Sequence, residues 1–364
     1  MKIKELCNYL EDWAPLSYQE SYDNSGLLVG DPNREIEGVL VSLDCTEEIV
    51  LEAISKGCNL IVSHHPIIFG GLKRLTGKNY VERTVIKAIE NKIALYAIHT
   101  NLDNVPTGVN KKIADKLGLR NTSILAPKSG NLTQLVTYVP EHAAEDVRSA
   151  LAKAGAGKLG NYSDCGFLSE GEGTFKALEG ANPFVGEINK LQREKEIRLE
   201  MVFPSYLSSK IEAVLKQSHP YEEVAYSLFS LENKNNYLGS GIIGILEKPM
   251  NLNEFLPFLK DKMELDCVRY TQDTGRKIEK VALCGGSGSF LLKNAIASKA
   301  DIFITGDFKY HEFFDAENRI IIADIGHFES EHYTIELIVE RIQEKFRNFA
   351  ICKSTHNTNP INYF

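Results

Sequence analysis

No run of the chain approaches the roughly 18 apolar residues that a membrane-crossing helix needs. No basic stretch interleaved with aromatics occurs either, and the formal net charge is −8. Together these argue against a membrane span and against a dedicated nucleic-acid surface. The opening residues, MKIKELCNYLEDWAPL, alternate charged and apolar positions as an amphipathic helix does, without the continuous apolar core of an export signal. The seven cysteines include no C-x-x-C pair. Free thiols in a reducing cytoplasm are therefore expected, and the spacing excludes a zinc finger. Any metal must be held by histidine and carboxylate.

What is present is an ordinary globular mixture: 364 residues, 43% hydrophobic and 25% charged, long enough for two domains. In the first 125 residues EGVLVSLD, NLIVSHH and IALYAIHTNLD read as strands, with TEEIVLEAISKG and YVERTVIKAIENK as helices between them. This is the pattern of a sheet with helical crossovers. From about 126 to 236 the order becomes β-α-β-β-α-β, from QLVTYVP to EEVAYSLFSL, with a glycine-interrupted pair of extended segments at YSDCGFLSEGEGTFKAL. That is the ferredoxin-like split motif. NKNNYLGSG reads as a polar linker, after which KVALCGGSG, ADIFITGD and RIIIADIGH resume the alternation and EHYTIELIVERIQEKF closes it as a helix. The expected fold is α/β: an outer domain built from residues 1–125 and 237–364, interrupted by an α+β ferredoxin-like insert at 126–236.

Functional groups of open α/β sheets gather beyond the carboxyl ends of strands. Five such ends carry Asp44; His64 and His65; His99 and Asp103; Asp307 and His311; and Asp324, His327, Glu329 and Glu331. With His332, six of the nine histidines lie at or just past these ends. His327 and Glu331, four residues apart, share one face of what reads as the first turn of the last helix. Three imidazoles with two carboxylates exceed the three protein ligands usual for a catalytic zinc. A two-ion site is the natural reading, with His65 and Asp103 on one ion, His64 and His327 on the other, and Glu331 bridging or binding both. Such ions, roughly 3.5–4 Å apart, activate water and clamp a displaced oxygen. Mixed nitrogen and oxygen ligands suit zinc, manganese, iron, cobalt or nickel and do not distinguish them; two divalent ions per subunit are expected, with zinc taken as the first candidate. His99 and His311 are the candidates for proton transfer, His99 having a structural role or the orienting of Asp103 as alternatives. Asp307 and Tyr310 are the candidates to touch substrate. Asp44 and Asp324 read as helix caps or core hydrogen-bonding groups. The C-G-G-S-G-S stretch at 284–289 reads as a tight strand-to-helix connection, matching neither G-x-G-x-x-G nor the Walker pattern.

The stretches DNSGL at 23–27, SHHP at 63–66, HTNLD at 99–103, TGDFKYH at 305–311 and GHFESE at 326–331 together resemble the Nif-three-like family, the YbgI/YqfO type, often called GTP cyclohydrolase I type 2 homologues. The resemblance implies a dinuclear metal centre at His64, His65, Asp103, His327 and Glu331, the same five residues. It also implies metal-dependent hydrolysis of a small nucleotide-like or phosphorylated substrate; Lys73, Arg74 and Lys309 are the cations nearest in sequence for its phosphates. GNYSDCGFLSEGEGTFKALEGANPFVG at 160–186 and HPYEEVAY at 219–226 are similar to the central domain of longer members, which looks related to the PII/CutA fold. A ring-shaped homo-hexamer is implied with it. The competing reading is a non-catalytic metal-binding or regulatory scaffold assembled through the insert.

Overall fold

The computed structural model describes residues 1–347 and 349–364. The chain forms two compact units, one from Met1–Pro127 with Asn236–Phe364, the other from Lys128–Asn235.

The larger unit contains two sheets. The first, five-stranded, has the order Gly26–Val29, Ala94–Ala97, Leu60–Ser63, Val39–Ser42, Ile351–Lys353. Its first strand is antiparallel to its neighbour and the rest run parallel. Every residue of the three central strands is buried, which is why they are near-continuous runs of Val, Leu, Ile and Ala. The helices Glu47–Ser55 and Tyr80–Glu90 cover one face, over Leu40, Ile61 and Leu95. The second sheet has six strands in the order Arg269–Tyr270, Ile321–Asp324, Ile302–Gly306, Ile278–Ser287, Asn235–Met250, Arg120–Lys128. Its strands Ile278–Ser287, Ile302–Gly306 and Ile321–Asp324 are parallel.

One core joins the two sheets. Val41, Leu60, Val62 and Tyr96 from the first share it with Val281, Leu283, Ile302 and Ile304 from the second. The helix Ile3–Trp13 adds Ile3, Leu6, Cys7 and Leu10, an apolar stripe at three- and four-residue spacing. Burying each large aliphatic side chain contributes about 1.5–3 kcal/mol, so this shared core is what holds the two sets of strand ends against each other. Among the described residues no helix is long and apolar enough to cross a membrane.

In the smaller unit the sheet order is Phe167–Lys176, Leu191–Pro204, Leu132–Pro140, Tyr226–Leu231, every pair antiparallel. The second strand in sequence is thus split from the first by the third, the ferredoxin-like order. The helices Ala144–Ala154 and Ser208–Ser218 bury Val147, Leu151, Ile211 and Leu215 against Leu135, Leu199 and Phe203.

Three sequence readings change. NKNNYLGSG is no linker but opens the 16-residue strand Asn235–Met250, because strand pairing uses backbone groups that polar side chains leave free. The glycine-interrupted stretch forms one strand, Phe167–Lys176, with Gly171 and Gly173 paired opposite Glu196 and Glu194. His327–Glu331 is a separate short helix that precedes Thr334–Lys345.

Candidate metal centre

Past Ser63 the first sheet delivers His64 and His65, and past Ala97 it delivers His99 and the short helix Thr100–Asp103. The second sheet delivers Asp307 after Gly306 and the helix His327–Glu331 after Asp324. Four imidazoles are held through Nδ1. His64 Nδ1 is 2.8 Å from the Ile98 carbonyl oxygen, His65 Nδ1 2.8 Å from Asp44 Oδ1, His99 Nδ1 2.8 Å from Asp23 Oδ1, and His327 Nδ1 2.7 Å from Asp307 Oδ2. A carbonyl or carboxylate oxygen only accepts, so in each case Nδ1 carries the hydrogen and donates. This is how metal-binding histidines are oriented by their outer partners, and it leaves Nε2 as the ligand atom.

The Nε2 atoms of His65 and His327 are 3.3 Å apart, and they lie 2.9 and 3.0 Å from Glu331 Oε2. Ligands about 2.0–2.1 Å from a tetrahedral ion stand roughly 3.3 Å from one another, so this triangle has the dimensions of one face of a metal site. His64 Nε2 is 3.7 Å from Asp103 Oδ1 and 3.8 Å from Glu331 Oε1. Both His64 Nε2 and Asp103 Oδ1 are buried without a hydrogen bond. Leaving two such atoms unsatisfied is costly, and a cation between them and Glu331 removes the cost. The residues therefore fit metal. The pairing differs from the one read from sequence: His65 groups with His327, and His64 with Asp103, while Glu331 turns Oε2 to the first pair and Oε1 to the second. Successive side chains leave an extended backbone on opposite sides. His64 thus turns inward to Ile98, whereas His65 turns toward Asp44 and the facing sheet.

The charges are tightly balanced. Burial disfavours a charged His65, but Asp44 and Glu331 outweigh it and raise its pKa to about 9. Burial also opposes charge on His327, yet Glu331 and Asp307 lift it to about 11. Burial and then the Glu331 charge push Asp103 up to about 7. Glu331 itself is held well below the usual carboxylate range, its burial overcome by the surrounding histidines. Divalent cations are natural replacements for protons so crowded.

Gly286, with φ +60, lets Glu331 into place: a Cβ there would overlap Glu331 Oε1 and come within 3.3 Å of His327 Cε1. The C-G-G-S-G-S stretch is therefore not simply a connection: Cys284–Ser287 continue the strand Ile278–Ser287, and Gly286 within it makes room for the Glu331 carboxylate. A cavity of about 630 Å³ opens onto His65, His99, Asp103, His327 and Glu331, with Tyr22, Phe69 and Phe290 among its apolar walls. Among the described residues no Lys or Arg lines it, Lys73, Arg74 and Lys309 included.

His99 stands beside the cluster, its ring 5.2 Å from that of His64 and 5.3 Å from that of His65. The structure does not bring His311 or Tyr310 to it. Both are exposed and lie outside the cavity wall, Tyr310 meeting His311 and Phe314 edge-on and His311 stacking on Phe314, because the 3₁₀ turn Tyr310–Ala316 leads them away. Asp307 is not a free substrate contact but the partner of His327. Asp324 is a core group, accepting from the Phe308 and Gly326 N–H groups. Asp44, read as a cap or a core hydrogen-bonding group, is the latter and orients His65, while Asp23, whose role was not read from sequence, orients His99. Asp23 could have been found, since it opens the DNSGL stretch.

Two sheets that share one core and bring their strand ends to a histidine–carboxylate cluster define an α/β protein with groups able to bind a metal ion. The chain belongs to the Duf34/NIF3 (NGG1p interacting factor 3) family, whose profile matches residues 1–360. It is 38% identical over 368 residues to the GTP cyclohydrolase 1 type 2 homolog of Staphylococcus aureus (strain MSSA476), covering 100% of both chains. It is 37% identical over 369 residues to that of Bacillus subtilis (strain 168), covering 99% of this chain and 98% of the relative. Among solved structures it is similar to a Bacillus cereus protein related to NIF3, with a TM-score of 0.87 and 37% identity over 100% of this chain and 99% of that one. The family read from the five motifs is thereby established.

Proposed function

We propose that the protein is a two-metal hydrolase acting on a small nucleotide-like or phosphorylated substrate. The observation that carries this reading is the convergence of Nδ1-anchored imidazoles with Asp103 and Glu331 beside one cavity. His64, Asp103 and Glu331 would hold one divalent ion, and His65, His327 and Glu331 the other, with zinc the first candidate. When bound, the pair supplies Lewis acidity and eases the ionisation of water. His99, anchored by Asp23, is placed to hold or move a proton at Nε2. Asp44 and Asp307 keep His65 and His327 in the tautomer that presents Nε2. The apolar walls restrict water around the reacting groups. Relatives that carry the name GTP cyclohydrolase 1 type 2 homolog support hydrolysis of a nucleotide-like compound. The family resemblance adds a homo-hexamer as the assembly and the cytoplasm as the compartment.

One observation favours a second reading. Among the described residues no Lys or Arg lies on the cavity wall, so the phosphates of a substrate would meet no cationic side chain of that kind, only the ions and neutral donors such as Asn104, Asn110 and Ser287. That is compatible with a non-catalytic metal-binding or regulatory scaffold. The deciding experiment measures metal per chain by elemental analysis, then screens nucleotides and phosphomonoesters with the loaded protein, using His65→Ala and Glu331→Ala as controls. Turnover lost in both variants supports the hydrolase. Turnover that survives both removes the cluster from the mechanism, and two ions without turnover on either substrate class favour the scaffold.

A further inference from the structure

We propose that the smaller unit carries a second ligand site, for a small organic cation with an ammonium or guanidinium head, held between aromatic rings and the Glu196 carboxylate. The site is independent of the metal centre and is built from stretches that the function above leaves unused, 160–186 and 219–226.

Alternation along Leu191–Pro204 sends Leu199, Met201 and Phe203 toward the helices, and Glu196 and Arg198 to the opposite face. There a cavity of about 740 Å³ is bounded by Phe175, Phe184, Tyr221 and Glu196. Glu196 is only 9% exposed. Its neighbour on that face, Arg198, is engaged 2.9 Å away by Glu200 and does not neutralise it. Nor does the nearby imidazole of His219. Its Nε2 lies 2.9 Å from the Tyr138 carbonyl oxygen, to which it donates, and its Nδ1 accepts from the Tyr221 N–H at 3.1 Å, so both nitrogens are used by the neutral ring. A buried carboxylate without a cation is a costly arrangement that a charged ligand relieves.

The surroundings select that ligand's sign and shape. Five glutamates line the cavity against one lysine and one arginine, a balance that repels phosphates and concentrates cations. The Tyr221 ring lies 6.1 Å from Phe175 and 6.3 Å from Phe184, tilted by 57° and 52° rather than stacked. Tilted rings around a space are how aromatic faces surround a cation. The Tyr221 hydroxyl lies beside the Glu196 carboxylate; burial, together with that carboxylate's charge, raises the phenol above its ordinary value, so ring and carboxylate face the same space. Phe184 is 56% exposed at the rim, with its ring stacked on that of His142 at 5.9 Å. Gly173 makes room for the carboxylate, since a Cβ at that position would overlap Glu196 Oε2.

The test is calorimetric titration of the metal-loaded full chain with choline, with agmatine, and with 3,3-dimethylbutan-1-ol, the uncharged counterpart of choline. One cation per chain is expected to bind at least tenfold more tightly than the alcohol. Glu196→Gln and Phe184→Ala should each weaken it at least tenfold while metal content stays unchanged. Phe184→Ala removes an exposed ring and keeps the test decisive should Glu196→Gln fold poorly. Absence of binding by both cations at millimolar concentration, equal binding of the alcohol, or undiminished binding by Phe184→Ala each overturns the proposal.

Discussion

Replacing Gly286 with alanine separates stability from metal binding in a way the geometry predicts in detail. The residue sits at φ +60, where an L side chain costs about 1–2 kcal/mol. The added Cβ overlaps Glu331 Oε1 and stands 3.1 Å from its Cδ. The obstruction is the tip of a side chain, so folding survives by moving Glu331 aside, and the melting midpoint should fall by only a few degrees. The moved carboxylate, however, is the one group common to both sets of ligands, touching His65 and His327 with Oε2 and facing His64 with Oε1. Affinity for both ions should therefore drop, by at least the 10–100-fold seen when a mere outer partner of a metal ligand is lost. The assay is competition against a chromogenic chelator at controlled free zinc, alongside thermal melting. Gly71→Ala serves as control, since a Cβ there meets nothing within 4 Å. Retention of wild-type stoichiometry and affinity by Gly286→Ala would refute the placement of Glu331 between the two ions.

Asp44→Asn should weaken metal binding about 10–100-fold by freeing the His65 ring, read by the same competition; an unaltered affinity would show that His65 needs no carboxylate anchor. Glu52 gives a pH prediction remote from the site. Its burial works to raise the carboxyl, but hydrogen bonds from Lys56, Ser354 and Thr355 prevail and hold its pKa at about 2, below the ordinary 4.5. Stability from this depressed group is complete above 4.5 and disappears as pH falls toward 2. The melting-point gap between wild type and Glu52→Gln should therefore be wide at pH 7 and narrow at pH 3; an equal gap at both contradicts the assignment. His311→Ala should leave metal content and any turnover unchanged, whereas His99→Ala should lower turnover without emptying the site. A loss of activity in the former would mean that a neighbouring copy brings His311 into reach.

Much of this molecule could be read before its fold was known, because its chemistry lies where strands stop. SHHP, HTNLD and GHFESE each follow a buried run of aliphatic residues, and buried runs are easy to recognise. The pairing of ligands was not legible: which imidazole meets which carboxylate depends on the side to which His64 and His65 turn, and that is set by Ile98 and Asp44, far away in sequence. Asp44 could be read only as a cap or a hydrogen-bonding group, because nothing local shows an aspartate's partner 21 positions downstream. The strand at 235–250 was hidden by its polar start, since side-chain pattern records burial and that end pairs without being fully buried. His311 and Tyr310 were misplaced for the opposite reason: proximity in sequence to a strand end does not show which way the following turn leads.

His65 and Glu331 are separated by 266 positions yet meet at 2.9 Å. A ribosome thus releases the front half of this pocket long before the back half exists. Early imidazoles can greet an ion only loosely; firm capture waits for the closing helix to arrive. A cation held there, as proposed, would act as a keystone, its attachment energy open solely to a finished protein. Starved of metal, newly made chains should loosen first at the segments that carry the candidate ligands, while the core shared by the two sheets persists.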